Sequence, residues 1–397
     1  MNQQDINYYP LAVKKQVMSQ YPSPMHSMVP GKTRQTFLHN NHGKTSSVFI
    51  SKKLQFSKAR YALSFALDSL KGTTNNPKVL IPAYHCRSIP ESATATCFDI
   101  LFYKLNKDLS VDLENIKSLI QNNGDIKALL MVHYFGFQQP QLEEIINECH
   151  KNNIVIIEDC AHAFYGSYNN CRIGTIGDFV IASPWKFFPI DEGGYLITNQ
   201  APDIFLTKRH GSIKHELKSL LYQIDHLNKS ATSQEVDSKT FDRCMSFYND
   251  SLEDVMNGSS NLHEFSPAEK INCGTRINEF IIKHYPHDFN IVQRRKNYQH
   301  WSSIITSLAG CHALHPEMDN HTVPYAFPIV VEKEACKVFH YLKCKGVPIW
   351  RWEDFSISDC ETSKDYRFKL FQLACHQDLT FEDIDTMAKY LKHALIA

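Results

Sequence analysis

Lys186 lies in the run Ser183-Pro184-Trp185-Lys186-Phe187-Phe188. An amine walled by an indole and two phenyl rings is desolvated, which lowers its pKa and frees it to act as nucleophile or proton carrier. A solvated surface lysine is a poor fit to that setting. Upstream, an apolar run closes on two carboxylates, Ile156-Ile157-Glu158-Asp159, and continues Cys160-Ala161-His162-Ala163. An Asp at the end of a buried strand is either a turn-former or a carboxylate that favours the cationic form of a nitrogen lying against it. Two glycine-rich turns flank the lysine, Gly174-Thr175-Ile176-Gly177-Asp178 and Glu192-Gly193-Gly194. Further upstream, Lys58-Ala59-Arg60-Tyr61-Ala62-Leu63 opens a helical pattern with Leu63, Ala66, Leu67 and Leu70 on one face. The start of such a helix offers backbone N–H groups to a phosphate.

Other chemistries fail on spacing. Gly31-Lys32-Thr33 and Gly43-Lys44-Thr45 resemble the end of a phosphate-binding loop, but His26 and Leu38 stand where its first glycine is needed. No dinucleotide fingerprint, zinc-protease helix or nucleophile elbow is present. Asp159-Cys160-Ala161-His162 lacks a second ligand pair at a recognisable spacing, so no metal site is assigned.

The elements that must position these residues are short apolar runs alternating with amphipathic stretches. Val79–Pro82, Ile100–Leu105, Ala128–Phe135, Ile154–Asp159, Asp178–Ser183 and Gly194–Thr198 read as strands, and 113–120 and 141–149 as helices. This alternation predicts an α/β fold with a mostly parallel sheet covered by helices, and ligands gathering after Pro82, Phe135, Ile157 and Ala182. Residues 211–275 are polar and read as helices and loops inserted between two units. A smaller α+β unit is expected after Arg294-Arg295, with strands at 325–331 and 348–352, a helix near 334–345, and a closing helix capped by Thr380 and Asp383. The expected division is an N-terminal arm over 1–44, a large domain over 45–210, the polar segment 211–275 and a small domain over 276–397.

The chain has 397 residues, 42 basic and 42 acidic, so its formal charge of zero gives no electrostatic case for a nucleic-acid partner. No apolar stretch reaches the ~20 residues of a membrane span, and the first residues lack a secretory pattern. The 12 cysteines form no CxxC pair, which fits free thiols in a reducing cytoplasm.

Taken in order, these pieces resemble the sugar aminotransferase (DegT/DnrJ/StrS) family of pyridoxal 5'-phosphate (PLP) enzymes. The resemblance runs from about residue 45 to the C-terminus. It includes Pro82-Ala83-Tyr84, Val132-His133-Tyr134-Phe135-Gly136, Arg294-Arg295 with Asn297-Tyr298, and Cys375-His376-Gln377-Asp378-Leu379. It implies the fold type I, aspartate-aminotransferase-like architecture, a large PLP-binding domain plus a smaller C-terminal α+β domain, acting as a homodimer.

By the same resemblance, Lys186 is the Schiff-base lysine and Asp159 the carboxylate that holds the pyridine nitrogen protonated. Ser183 and the helix start at Ala59 and Arg60 take the phosphate, and His162 lies near the phenolic oxygen. The family's ring-stacking aromatic falls by spacing on Cys86, which leaves Tyr84 or His85 for that role. The implied reaction moves an amino group from an amino acid, glutamate by expectation, to a nucleotide-linked keto-sugar in polysaccharide biosynthesis. Two departures keep other readings open: Ser183 and Lys186 are three residues apart where the family has about five, and its Asn-Tyr-Arg-Met element is not recognisable, with Asn272 or Arg276 as stand-ins. Arg209-His210-Gly211 resembles a segment that reaches the partner subunit's site. The alternatives are a PLP enzyme of other reaction type, such as a lyase or one acting on an amino-acid-like substrate, and a non-catalytic homologue.

Overall fold

The computed structural model describes residues 6–9, 20–31, 49, 53–168, 171–199, 213–227, 236–246 and 264–396. The first part of the chain gives β1 (Leu54–Phe56), α1 (Ala59–Leu70), β2 (Lys78–Pro82), α2 (Ser88–Ala95), β3 (Asp99–Tyr103), α3 (Leu113–Asn122), β4 (Ile126–Val132), α4 (Leu142–Lys151) and β5 (Val155–Cys160). A two-residue hairpin pair, β6 (Ser167–Tyr168) and β7 (Cys171–Arg172), precedes β8 (Phe179–Ala182) and β9 (Gly194–Thr198). Seven of these strands form one sheet in the order β1-β9-β8-β5-β4-β2-β3. The five from β8 to β3 are parallel, and β9 and β1 add antiparallel edges.

The parallel strands are apolar because helices cover both faces: Val79, Leu80, Ala128, Leu129, Leu130, Ile156, Ile157 and Val180 are all at most 1% exposed. β4 is shorter than its apolar run. The chain leaves the sheet after Val132 and turns at Tyr134–Gly136, where Phe135 takes a left-handed φ of 57°. Helix α2 was not legible, since Pro90 sits in its first turn, where a missing N–H costs little.

Next come α5 (Ile213–Leu227), α6 (Ser238–Ser246), α7 (Arg276–His284) and α8 (His287–Ile305). Helix α8 runs through Arg294-Arg295, so the expected break between units at that pair is replaced by a continuous 19-residue helix. Its inner face carries His287, Asn290, Arg294 and Asn297, all buried, which hides the helical period from a hydrophobicity reading.

The remaining elements are β10 (Cys311–Ala313), β11 (Ala326–Val331), α9 (Ala335–Cys344), β12 (Ile349–Trp350), α10 (Glu361–Lys369), β13 (Leu370–Ala374) and α11 (Phe381–Ile396). They build a four-stranded antiparallel sheet, β10-β11-β13-β12. A second apolar cluster including Trp301, Phe327, Ile329, Leu342, Phe371 and Leu391 packs this sheet against α8, α9 and α11. The expected capping box opens α11: Thr380 N–H donates to Asp383 at 2.9 Å and Asp383 N–H to Thr380 Oγ1 at 3.2 Å. The N-terminal residues lie along this unit, with Tyr9 N–H on Phe355 O and Met25 N–H on Gly346 O.

Candidate active site

A cavity of about 520 Å³ opens where the carboxyl ends of β2, β5 and β8 meet the start of α1 and one edge of the second sheet. Six of the eight residues assigned from sequence line it: Lys186, Asp159, His162, Ser183, Ala59 and Arg60.

β5 delivers two adjacent buried carboxylates to opposite faces of the sheet, as strand alternation requires. Glu158 accepts backbone N–H groups from Gly174 (2.7 Å), Gly177 (2.9 Å) and Ile176 (3.1 Å), and His133 lies 3.0 Å away. Burial pushes its carboxyl up, but the His133 contact and the Gly177 and Gly174 N–H bonds outweigh that and hold it below the ordinary value. A Cβ on Gly177 would come within 2.6 Å of the Glu158 Cβ, so the second glycine of this turn is a packing requirement. Glu158 is thus a clamp on the loop that leads into β8. His133, Glu158 and Cys160 bring their ligand atoms within 4.8 Å of one another, but Glu158 is already engaged by backbone donors.

Asp159 faces the cavity. One oxygen accepts the Ala161 N–H at 2.8 Å. Burial raises its carboxyl above the ordinary value, against that N–H and the charges of Lys186 and His133. A cation placed against it would restore the ionised form.

Ser183, 4% exposed, closes β8 and begins a single tight turn, Pro184–Lys186, in which Lys186 N–H returns to Ser183 O at 3.2 Å. The short Ser-to-Lys spacing therefore sets both residues on one turn at the cavity wall. Burial lowers the Lys186 amine below the ordinary lysine value, with Cys86 and Asp159 opposing and Arg60 assisting. The turn is held from behind by Arg294, fully buried, whose Nη2 donates to Lys186 O at 3.0 Å. Its other donors reach Asn290, Gln377 and the carbonyls of Pro324 and Tyr325. Asn290 and Gln377 in turn donate to Phe187 O at 2.9 and 3.0 Å. These bonds link the Arg294 and Gln377 segments, distant in sequence, to the lysine.

His162 Nδ1 accepts the Phe135 N–H at 3.4 Å, and its ring stacks on Tyr325 at 4.4 Å. Burial, then the charge of Lys186, keeps the imidazole neutral, well below its ordinary pKa.

At the far end, α1 begins at Ala59, and Gly194 allows β9 to press on it: a Cβ there would lie 2.2 Å from Lys58 C. The first-turn N–H groups of a helix have no intrahelical acceptor and favour an anion. Two cations flank this start, and each is paired with a carboxylate: Lys58 with Glu269 at 3.1 Å and Arg60 with Glu264 at 2.6 Å.

Tyr84 and His85 do not reach the cavity, and this corrects the expectation that one of them faces a bound ring. Both are at most 1% exposed. Tyr84 packs among Trp352, Phe355 and Tyr134, while His85 stacks on Phe102 and binds Cys86 O at 2.9 Å. Cys86 is the residue of that segment that lines the cavity, and the cavity's aromatic groups are Trp185, Trp350 and Trp352. Sequence reasoning missed Trp350, Trp352 and Gln372 altogether. A Gln inside the apolar run Leu370-Phe371-Gln372-Leu373-Ala374 was the available signal. Asn272 and Arg276 do not line the cavity; the Arg209-His210-Gly211 segment lies outside the described residues.

Residues 52–223 match the model of the DegT/DnrJ/EryC1/StrS aminotransferase family. The chain is 28% identical over 158 residues to GDP-perosamine synthase of Vibrio cholerae, covering 38% of this chain and 41% of the relative. It is 31% identical over 122 residues to UDP-4-amino-4,6-dideoxy-N-acetyl-beta-L-altrosamine transaminase of Campylobacter jejuni, covering 29% and 32%. It thus aligns with about two-fifths or less of the length of these curated relatives. In structure it superposes on Helicobacter pylori PseC, an aminotransferase involved in the biosynthesis of pseudoaminic acid, with a TM-score of 0.62 at 13% identity, over 99% of this chain and 100% of the other. Over residues 52–223 the chain is thus similar to the DegT/DnrJ/EryC1/StrS aminotransferase family, and as a whole it has the fold of the Helicobacter pylori protein.

Proposed function

We propose that this chain is a PLP-dependent aminotransferase that moves an amino group from an amino acid, glutamate in the first instance, to a nucleotide-linked keto-sugar. The observation that carries the reading is the meeting of Lys186, Asp159 and the start of α1 on one cavity. That arrangement fits PLP: a desolvated amine, a carboxylate raised by burial that a ring cation would return to its ionised form, and a helix N-terminus flanked by Lys58 and Arg60. When bound, the cofactor supplies the electron sink that such a transfer needs.

The protein's part follows from its own groups. Asp159 would hold the proton on the ring nitrogen. The N–H groups of Ala59 and Arg60, with the Ser183 hydroxyl, would hold the phosphate, and the neutral His162 imidazole lines the same cavity. The Lys186 amine, whose pKa burial lowers, would take the proton from the amino donor's α-carbon as general base and, in the second half of the transfer, give one as general acid to the acceptor carbon that gains the amine. Trp185, Trp350 and Trp352 exclude water from the reacting atoms.

The names of these relatives support a nucleotide-linked sugar acceptor, and a Bacillus subtilis relative named as a spore coat polysaccharide biosynthesis protein supports a place in polysaccharide biosynthesis. A homodimer is supported by the face of α5, which exposes Ile213, Leu217, Leu221 and Ile224. The twelve free cysteines suit a cytoplasmic setting, and no described helix is long and apolar enough to cross a membrane. One observation favours a second reading, a PLP enzyme of other reaction type: the tight Ser183–Lys186 turn, which alters the lysine's approach.

The absorbance spectrum of the purified chain with added PLP tests the proposal. A visible band that collapses when glutamate is supplied is the expected result. A band indifferent to every amino donor would favour the second reading, and no band would end both.

A further inference from the structure

Gln372 is fully buried, and neither its Oε1 nor its Nε2 has a hydrogen-bond partner among the described residues. Buried amides are normally paired, and an orphan on both atoms is a standing cost to the fold. The residue lines the cavity. Its strand neighbours Phe371 and Leu373 point the other way, into the apolar cluster of the small unit. β13 therefore spends one position of an otherwise apolar strand on an amide at the cavity wall.

Trp350 is its antiparallel partner in β12, so the two side chains share a face. Trp352 follows two residues later and also lines the cavity. Next to them Arg87 Nη1 lies 3.6 Å from Asp354, a polar pair on the same wall.

We propose that Gln372, with Trp350 and Trp352, forms the face that binds the hydroxylated ring of the acceptor sugar, and that Gln372 selects among ring hydroxyl patterns. The inference rests on the aminotransferase reading above. An amide presents a donor and an acceptor side by side, which matches two neighbouring hydroxyls, each able to give and to accept. An indole face suits the C–H surface of a saturated ring, since its negative face attracts positively polarised hydrogens. A nucleobase would also stack there. The ring that reacts must share the cavity with Lys186, however, and that ring is the sugar.

The test is a tryptophan-fluorescence titration of the full chain and its Gln372→Leu variant with UDP-, dTDP- and GDP-linked hexoses, and with UDP alone. Quenching by at least one nucleotide-linked hexose is expected, weakened about tenfold in Gln372→Leu, with UDP alone unaffected by the substitution. Thermal stability of the variant should equal or exceed the parent's, because an orphaned amide has been replaced by an apolar group. Its visible band with PLP should be unchanged. Equal affinity in both proteins, an equal loss for UDP alone, no quenching by any hexose, or a clear fall in melting temperature would each overturn the proposal. The aminotransferase reading fails separately, through the absence of the visible band.

Discussion

The cavity has two unlike walls. On the side of Lys186 and Asp159, Glu158 takes three backbone N–H groups and Arg294 spends its donors on Asn290, Gln377 and three carbonyls. On the small-sheet side, Gln372 has neither atom paired among the described residues. The first wall is preorganised, so Lys186 and Asp159 are held in place before any ligand arrives. The second leaves its polar valences to be filled from outside. The difference separates residues that keep the site's shape from residues that read what enters it.

Removing the clamp should break this comparison most visibly. Glu158→Ala leaves the N–H groups of Gly174, Ile176 and Gly177 buried without an acceptor, and should cost about 3–5 kcal/mol. Thermal unfolding reads this as a large drop, and a drop within experimental scatter would show that the turn stands without it. The contrast with Gln372→Leu, on the opposite wall and expected to lose no stability, is the sharpest form of the comparison.

Arg294→Lys should have the next largest effect. A lysine keeps the charge but lacks the planar donors that reach five separate acceptors around the Lys186 turn. A loss of about 2 kcal/mol is expected, together with a shift in the pH dependence of turnover as the amine's surroundings loosen. An unchanged profile would make Arg294 structural alone.

Glu192 gives a smaller, pH-dependent test. Burial, then the charge of Asp191, pushes its carboxyl up to about 7. The folded value lies above the unfolded one, so the fold favours the protonated form and loses that advantage as pH rises through about 7. Glu192→Gln, which stays neutral, should gain on the parent in melting temperature between pH 5 and pH 8. A difference constant with pH would mean the carboxyl does not titrate as its surroundings imply.

Much of the large-sheet wall was legible because its logic is local. Strand ends such as Asp159 and Ser183, the turn at Gly174–Asp178 and the helix start at Ala59 carry their own periodicity and turn chemistry. Glu158 stood in plain view beside Asp159, but its task depends on a loop sixteen or more residues away, which a strand pattern does not record. Helix α8 was illegible because its buried face is built of His, Asn and Arg rather than apolar residues. Tyr84 and His85 misled for a related reason: spacing placed them near the cavity, while the packing of Trp352 and Phe355 from the small unit draws the Tyr84 ring behind the wall. Trp350, Trp352 and Gln372 come from a segment whose approach to the site is purely tertiary.

The most direct test of the central claim is to add PLP to the purified chain, reduce with borohydride, and map the modified residue by peptide mass spectrometry. Modification of Lys186, absent in Lys186→Ala, is the result this account requires. Labelling elsewhere, for instance on Lys58 with Lys186 untouched, would contradict it.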